Sequence, residues 1–395
     1  MSRTVLVINS GSSSIKYQLI DPDSGESLSS GVVERIGEES GRITHKYAGE
    51  KHTLEAPVPD HEVGLRQVIA ACGKFGPDLA AAGVVAVGHR VVQGGSRFDK
   101  AIVLDEASTR EIAELIPLAP LHNPANVTGI RTALEVFPDI PHVAIFDTAF
   151  FSDMPAYAST YALDKDVAER YKIRRYGFHG TSHAFVSREV ARHLGRDDLK
   201  QIVLHLGNGA SASAIDSGHP IDTSMGMTPL EGLMMGTRTG DIDPAIAFHL
   251  ARVGHMRVGE IDSLFNERSG LKGVCGHNDM REVRELAAAG QADARLALDI
   301  YGHRIRKYIG SYAAALNGLD VITFTAGVGE NDSDLRREVL EGLSFLGIEL
   351  DRESNAQRTD GIRAISTPAS KVTVLVVPTN EELSIARQAA ELIES

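Results

Sequence analysis

Residues 5–14 and residues 203–212 share one pattern, and the two segments begin about half the chain apart. Each has an apolar strand, then Asn and Gly in a turn, and then small residues. A repeat of this kind predicts a duplicated domain with a cleft between the copies. Because the identical positions are few, chance similarity is the alternative. The length of 395 residues also favours two domains, since one domain usually holds about 150 residues.

Apolar runs rich in Val and Ile alternate along the chain with segments of helical periodicity. The predicted strands lie at residues 5–8, 84–92, 143–146, 202–206, 321–324 and 372–377. The clearest predicted helices lie at residues 182–194, 293–316 and 333–346, and a glycine follows each within two residues. This alternation predicts an α/β fold.

The chain carries 53 acidic and 40 basic residues, a formal net charge of −13. This balance argues against binding to nucleic acid or to an anionic membrane, because both need clustered positive charge. Cys72 and Cys275 lie far apart, which excludes a disulfide framework and a cysteine zinc site. No apolar run is long enough for a membrane span or a signal-peptide core. We therefore expect a cytoplasmic protein.

Three glycine-rich turns each follow an apolar strand. Residues 9–16 offer small polar side chains, unhindered backbone N–H groups and a terminal lysine, which suit an anion site. The alternating residues after this turn predict a second strand, so the segment is a hairpin and not a Walker A loop. Residues 207–211 and 326–331 have a similar composition. Each turn alone fits an ordinary surface turn, but the three together predict a nucleotide site.

Four side chains stand out as candidates for acting on an anionic substrate. Arg90 lies in an apolar strand, where an unpaired guanidinium is costly, so it needs an anionic partner from the protein or a ligand. Arg238 lies in a Gly- and Thr-rich loop that suits bidentate binding of carboxylate or phosphate, and an exposed loop arginine is the alternative. Asp147 at a strand end suits a positioning or base role, although a turn-forming Asp fits equally. His179 suits a hydrogen bond to a phosphoryl oxygen better than zinc binding with His183, because no third ligand is evident.

Residues 378–382 end the last predicted strand and begin the last predicted helix. Thr379 and Glu382 fit a capping box, which gives Glu382 a structural role. Glu381 has no such role. We predict that Glu381 holds Mg²⁺, directly or through water, because hard cations prefer carboxylate and water ligands.

Six motifs together resemble the acetokinase family, in this order and from one end of the chain to the other. They are residues 9–17, 88–92, 178–183, 205–209, 327–331 and 378–382. The resemblance implies the fold of the acetate and sugar kinase, Hsc70 and actin superfamily, in which two ribonuclease-H-like (actin-like ATPase) domains surround a nucleotide cleft, usually in a homodimer. The implied N-terminal domain is residues 1–150, joined by a last helix at about 382–395. The implied C-terminal domain is residues 151–381, with most nucleotide contacts.

The resemblance also implies an activity. Acetate and ATP would interconvert with acetyl phosphate and ADP by direct in-line phosphoryl transfer with Mg²⁺ or Mn²⁺, a step of acetyl-CoA biosynthesis. A propionate or butyrate kinase of the same fold is one alternative, because one methylene is worth only about 1 to 3 kcal/mol. A nucleotide-binding switch without turnover is the other, although it would need none of the carboxylate-binding residues.

The same resemblance implies roles for individual residues. The catalytic residues would be Arg90, Asp147, His179 and Arg238, and Arg90 would also bind substrate. The apolar pocket for the methyl group would be formed by Val92, Leu121, Phe178 and Pro229. The nucleotide would contact Lys16, His205, Leu206, Gly207, Asn208, Gly209, Asp279, Met280, Arg281, Gly327, Val328, Gly329, Glu330 and Asn331. The metal-associated residues would be Asn9 and Glu381.

Overall fold

The computed structural model describes residues 3–79 and 81–394. The chain divides into two compact units, one of residues 1–152 and 380–395 and one of residues 153–379. The predicted division lay at residues 150/151 and 381/382.

The strands are β1 (Thr4–Ser10), β2 (Ser14–Ile20), β3 (Ser27–Glu34), β4 (Gly41–Tyr47), β5 (Glu50–Ala56), β6 (Val84–Val91), β7 (Ile102–Val103), β8 (His142–Phe146), β9 (Lys200–Leu206), β10 (Ala210–Asp216), β11 (His219–Thr223), β12 (Val321–Thr325), β13 (Arg363–Ala364) and β14 (Thr373–Val376). The α-helices are α1 (His61–Phe75), α2 (Glu106–Ala113), α3 (Asn123–Val136), α4 (Ala156–Ser159), α5 (Lys165–Arg170), α6 (Gly180–Leu194), α7 (Ala245–Val253), α8 (Val258–Glu267), α9 (Gly270–Cys275), α10 (Met280–Ala288), α11 (Ala292–Ala315), α12 (Ala326–Asn331), α13 (Ser333–Glu341), α14 (Arg352–Ala356) and α15 (Glu381–Glu394). Short 3₁₀ helices lie at Ile116–Leu118, Ala149–Phe151 and Ser344–Leu346.

The two units contain the same five-strand arrangement. The first sheet has the order β5-β4-β3-β2-β1-β6-β8-β7, and the second has the order β11-β10-β9-β12-β14-β13. In both, three antiparallel strands are followed by two parallel ones, so β3-β2-β1-β6-β8 corresponds to β11-β10-β9-β12-β14. The duplication predicted from residues 5–14 and 203–212 is therefore confirmed, because these segments form the equivalent hairpins β1–β2 and β9–β10.

The first sheet is covered on both faces near β1. Neighbouring residues along a strand point to opposite faces, so Leu6 and Ile8 lie in the core cluster with Leu65 of α1. The opposite face of β1, β6 and β8 packs against the last helix, α15. At Gly88 the helix approaches so closely that an added Cβ would lie 2.7 Å from the Cγ2 atom of Ile385. The last helix of the chain thus belongs to the first unit.

One predicted helix limit and one predicted turn in the second unit were wrong. The helix predicted at residues 333–346 ends at Glu341, and a 3₁₀ helix follows at Ser344–Leu346. Gly342 interrupts it, because glycine disfavours a helix interior and Arg306 approaches the site where its Cβ would be. The segment predicted as a turn at residues 327–331 is helical and forms most of α12.

None of the helices within residues 3–79 and 81–394 combines the length and the hydropathy that a membrane span requires.

Candidate active site

In the first unit, Arg90 is paired with two carboxylates. Arg90 lies opposite Ile145 in the parallel β6–β8 pair, so Asp147, just beyond the end of β8, comes within reach. The Nε atom of Arg90 donates to Oδ1 of Asp147 at 3.1 Å, and Nη2 donates to Oδ2 at 2.6 Å. The Oε2 atom of Glu381 lies 3.8 Å from Nε. The expectation that Arg90 needs an anionic partner is confirmed.

The charges in this cluster shift the pKa values of its members. The pKa of Glu381 is raised to about 7, chiefly by burial and also by the charges of Asp147 and Glu382, while Arg90 and Lys16 oppose the rise. Burial alone would lower the pKa of Arg90, but Asp147 and Glu381 outweigh it and the net shift is upward. The Asp147 side chain is only 1% exposed. Carboxylates crowded in this way stabilise a nearby cation.

The capping box predicted from Thr379 and Glu382 is wrong. Helix α15 begins at Glu381, and the side chain of Asn380 accepts the backbone N–H of Leu383. Thr379 instead forms a hydrogen bond with Ser182 at 2.7 Å between the two hydroxyl oxygens. The reason that we gave for assigning the metal to Glu381 and not to Glu382 therefore fails. The assignment of the metal to Glu381 therefore stays a prediction.

The remaining candidates of the first unit lie on β1, on β2 and in loops. Asn9 is paired with the exposed Lys16 in the β1–β2 hairpin, and both line a groove of about 310 Å³ together with Glu382. Val92 follows β6, and its backbone N–H donates to Asn126. Leu121 is 50% exposed.

In the second unit, His179 and Arg238 meet at Gly209, in the turn between β9 and β10. A Cβ added to Gly209 would lie 3.5 Å from Nε2 of His179 and 3.7 Å from Nη1 of Arg238. Both donor atoms therefore lie close to the same backbone position. Two predicted catalytic side chains and one predicted nucleotide contact are thus brought together.

Arg238 is half-buried and has no acidic partner among the described residues. Its Nη1 donates to the carbonyl oxygen of Pro229 at 3.1 Å and lies 3.9 Å from the sulfur of Met235. No carboxylate in the part of the chain that the structure describes forms an ion pair with Arg238, and burial lowers its pKa. A guanidinium desolvated in this way is stabilised by an external anion. Pro229, predicted for the methyl pocket, is therefore adjacent to Arg238.

His179 precedes the first residue of α6, with φ 58° and ψ 24°. This left-handed conformation is uncommon outside glycine and is typical of functional sites. Its ring stacks on that of His205, with 4.3 Å between the centroids, and its Nδ1 lies 2.9 Å from the hydroxyl of Ser211. Phe178, next to it, is buried.

A cavity of about 1170 Å³ lies in the second unit, a volume that suits a nucleotide. The predicted nucleotide contacts that line it are Gly207, Asn208, Asp279, Met280, Arg281, Gly327, Val328 and Asn331. The predicted contacts that do not line it are His205, Leu206, Gly209, Gly329 and Glu330, and Lys16 belongs to the first unit. Gly329 instead lies against the backbone of Phe324 and Leu204. The carboxylate of Glu330 accepts a hydrogen bond from the backbone N–H of Thr379 at 3.2 Å.

Comparison with known proteins identifies the family. A model of the Acetokinase family matches residues 4–387. An acetate kinase of Leifsonia xyli subsp. xyli is 57% identical over 391 residues, which cover 98% of each chain. An acetate kinase of Streptomyces coelicolor is 56% identical over 396 residues, which cover 99% of this chain and 97% of the other. The chain belongs to the acetokinase family.

Solved structures related to the acetokinase family agree with the predicted fold. Porphyromonas gingivalis acetate kinase matches with a TM-score of 0.94 and 42% identity, over 99% of this chain and 100% of that one. A propionate kinase from Francisella tularensis subsp. tularensis also has a TM-score of 0.94, at 41% identity and the same coverage. The predicted duplicated α/β fold of the actin-like ATPase type is therefore confirmed.

A divalent cation needs a set of donor atoms around it. Residues 3–79 and 81–394 contain no group of three or more His, Cys, Asp and Glu side chains that could hold a metal ion. Mg²⁺ on a nucleotide usually takes one or two protein carboxylates, and phosphate and water oxygens fill the other positions. The amide oxygen of Asn9 and the carboxylate of Glu381 are each donors of the type that Mg²⁺ prefers.

Several side chains of the acetokinase cavity were not predicted from the sequence. They are Leu271, Asn278, Glu282, Arg284, Glu285, Tyr301, Asp332, Ser333, Asp334 and Arg358, together with Gly236. The one sequence signal for this group is Gly236, in a Gly- and Thr-rich loop. It needs to be glycine, because an added Cβ would lie 1.9 Å from Oδ1 of Asn208.

Proposed function

We propose that the protein transfers the γ-phosphoryl group of ATP to acetate, reversibly and with Mg²⁺, and so forms acetyl phosphate and ADP. A carboxylate oxygen of acetate forms a bond to the γ-phosphorus while the bond from that phosphorus to the bridging oxygen of ADP breaks. Total charge is conserved and no proton transfer is required. The protein therefore has to position the reactants and neutralise charge.

The observation that carries this proposal is Arg238, a half-buried guanidinium without an acidic partner in the described chain, next to His179. Arg238 neutralises the oxygens of the transferring phosphoryl group, and His179 donates a hydrogen bond to one of them. Arginines in this role contribute about 10³ to 10⁵ in rate.

Arg90 and Asp147 bind the acceptor in this proposal. The two oxygens of Asp147 accept hydrogen bonds from Nε and Nη2, which form one edge of the Arg90 guanidinium. Arg90 keeps its remaining N–H donors for the acetate carboxylate, and Asp147 fixes their direction. Val92, Leu121, Phe178 and Pro229 remain the proposed contacts of the methyl group.

Mg²⁺ supplies charge neutralisation and orientation of the nucleotide phosphates when it is bound. We assign its protein ligands to Asn9 and Glu381, with Mn²⁺ as a substitute of the same coordination chemistry. Burial raises the pKa of Glu381 to about 7 in the protein alone, so a cation that favours its carboxylate form binds more tightly as the pH rises toward 8.

The cavity of the second unit binds ATP or ADP in this proposal. Its lining includes Asn208 on the β9–β10 turn, Arg281 on α10 and Asn331 on α12. Helix α12 has fewer than two turns, so side chains and the backbone of the surrounding turns provide the contacts. Lys16, His205 and Gly209 are proposed to contact the phosphates and not the nucleoside.

Propionate is the second candidate acceptor. The propionate kinase structure matches this chain as closely as the acetate kinase structure does, with the same TM-score of 0.94. A pocket for one methyl group rejects an extra methylene by about 1 to 3 kcal/mol, so some turnover of propionate is expected.

The test is acyl phosphate formation from MgATP, trapped with hydroxylamine, with acetate, propionate and butyrate compared by kcat/KM. We expect the highest value for acetate. A higher value for propionate or butyrate would retain the chemistry and change the substrate. Binding of MgATP without acyl phosphate from any acid would contradict the proposal and favour a nucleotide-binding switch. Omission of the divalent cation is the control and should abolish turnover.

We also propose a homodimer, with the second copy covering α7. None of the nine residues of α7 is buried, although its sequence is mostly apolar. Phe248 is 63% exposed, Val253 65%, and Val258 at the start of α8 84%. Helices this apolar are normally covered, and such surfaces mark protein interfaces.

Light scattering should give the mass of two chains, and Phe248→Asp combined with Val258→Asp should give the mass of one. The exchange Arg295→Ala on the exposed part of α11 is the control.

A further inference from the structure

A continuous chain of hydrogen bonds leads from His179 into the core of the second unit. The Nδ1 atom of His179 lies 2.9 Å from the hydroxyl of Ser211. The same hydroxyl lies 2.7 Å from Nε2 of His183, and Nδ1 of His183 lies 2.7 Å from the hydroxyl of Ser213. His179 and His183 are one helical turn apart at the start of α6, and the two serines share one face of β10.

Ser213, at the buried end of this series of hydrogen bonds, determines which atom donates in each of them. Ser213 is fully buried, and its hydroxyl has no hydrogen-bond partner besides His183 among the residues described. If Ser213 accepted a hydrogen bond from His183, its own proton would remain unsatisfied in the core, which is costly. Ser213 therefore donates to Nδ1 of His183.

The direction then propagates through His183. This ring is fully buried, and desolvation, with a smaller contribution from His205, keeps its pKa well below the ordinary value. A neutral ring has one proton. Since Nδ1 accepts from Ser213, the proton is on Nε2 and is donated to Ser211. Ser211 in turn donates its proton to Nδ1 of His179.

We propose that Ser211, His183 and Ser213 are positioning residues that hold His179 in the tautomer with its proton on Nε2. This inference rests on the proposed role of His179 in phosphoryl transfer. Nε2 is the nitrogen 3.5 Å from the Cβ position of Gly209, next to Arg238. This series of hydrogen bonds thereby makes Nε2 of His179 an N–H donor and not a lone pair. Nε2 lies on the side of the imidazole ring where the phosphoryl oxygens are proposed to bind.

The first test is Ser211→Ala. Without the hydroxyl, neither tautomer of His179 is favoured by this contact. We expect kcat to fall about 10- to 100-fold, while KM for MgATP and acetate changes by less than about threefold, because the lost contact acts on the transition state and not on substrate binding. Ser187→Ala is the matched control, since Ser187 is buried on the same helix one turn beyond His183. It should keep wild-type kcat.

The second test reads the tautomer directly by nuclear magnetic resonance of protein labelled with ¹⁵N at histidine, without substrate. The His179 resonances are assigned by their loss in His179→Ala. We expect the protonated nitrogen of His179 to be Nε2 in the wild type, and a mixture of tautomers in Ser211→Ala. A proton on Nδ1 in the wild type, or an unchanged His179 spectrum in Ser211→Ala, would overturn the inference.

A pair of variants at His183 covers the case in which Ser211→Ala does not fold. His183→Gln keeps a donor that reaches Ser211, and His183→Leu removes it. We expect kcat of the Gln variant to exceed that of the Leu variant at least about fivefold. Equal kcat values in two folded variants would overturn the inference. The proposed function would fail separately, through a wild-type kcat in His179→Ala, and the tautomer measurement does not depend on it.

Discussion

Arg90 and Arg238 are both proposed to bind anionic groups, yet the protein surrounds them differently. Arg90 is held by the two oxygens of Asp147 and lies near Glu381. Arg238 contacts a backbone carbonyl and a sulfur atom, and no carboxylate of the described chain pairs with it. One guanidinium is neutralised by the fold, and the other depends on a ligand. The contrast separates a cation that also stabilises the protein from one that is available for the reaction.

The largest expected effect is the loss of turnover when Arg238 is replaced. Arg238→Ala should lower kcat at least about 1000-fold, because no other cation of its cluster can neutralise the phosphoryl group. Arg238→Lys should recover part of it, since lysine restores the charge but not the planar pair of donors. The hydroxylamine assay measures both. Arg295→Ala, which removes an exposed arginine of α11, is the control, and turnover of Arg238→Ala within about tenfold of wild type would contradict the role.

Replacing the two arginines should change the free energy of unfolding in different ways. Arg90→Met leaves Asp147 and Glu381 without their cation and should lower the stability of the ligand-free protein by about 3 kcal/mol. Arg238→Met removes a desolvated charge and should leave stability unchanged or raise it. Urea unfolding of both variants measures this. Arg90→Met combined with Asp147→Asn should recover part of the loss, and equal losses at the two sites would refute the comparison.

The stability of the protein should also depend on pH, because each unit buries a neutral histidine. The two arginines stay charged over the same pH range. Desolvation keeps the pKa of His89 in the first unit and of His183 in the second well below 6.5. Below pH 6.5 the unfolded chain binds protons that the folded chain does not, so stability is lost as the pH falls. Each histidine adds a slope of about 1.4 kcal/mol per pH unit. Urea unfolding between pH 7 and pH 5 should show this loss of stability. In His89→Gln the dependence of the free energy of unfolding on pH should be weaker by the contribution of one histidine.

The smallest expected effect concerns Gly209. A methyl group there would make ordinary contacts with His179 and Arg238, so Gly209→Ala should fold normally. It would occupy the space next to both donors and should lower kcat/KM for acetate about tenfold. Gly259→Ala is the matched control, because that glycine has open space around it on α8. A kcat/KM unchanged by Gly209→Ala would mean that substrate does not approach these donors from the Gly209 side.

The parts of the structure that depend on local pattern were predicted from the sequence. The strands that contain residues 5–8 and 202–206, and the turns that follow them, were predicted because apolar runs and Asn- and Gly-containing turns are local signals. The need of Arg90 for a partner could be predicted, but its identity could not, because Asp147 lies 57 residues away and reaches Arg90 through strand pairing. Tyr301 and Arg358 line the cavity without belonging to any motif. The capping box failed because Asn380, one residue beyond Thr379, is itself a good helix cap.

The position of α15 has a consequence for how the protein is made. The ribosome synthesises the whole second unit before residues 380–394, yet these residues cover β1, β6 and β8 of the first unit. Until they emerge, one apolar face of the first sheet is left bare, and Glu381 is absent from the Arg90 cluster. A nascent chain that stops at the end of the second unit therefore has neither a completed first core nor the carboxylate proposed to hold Mg²⁺. The first unit is therefore completed only after the whole second unit has been synthesised.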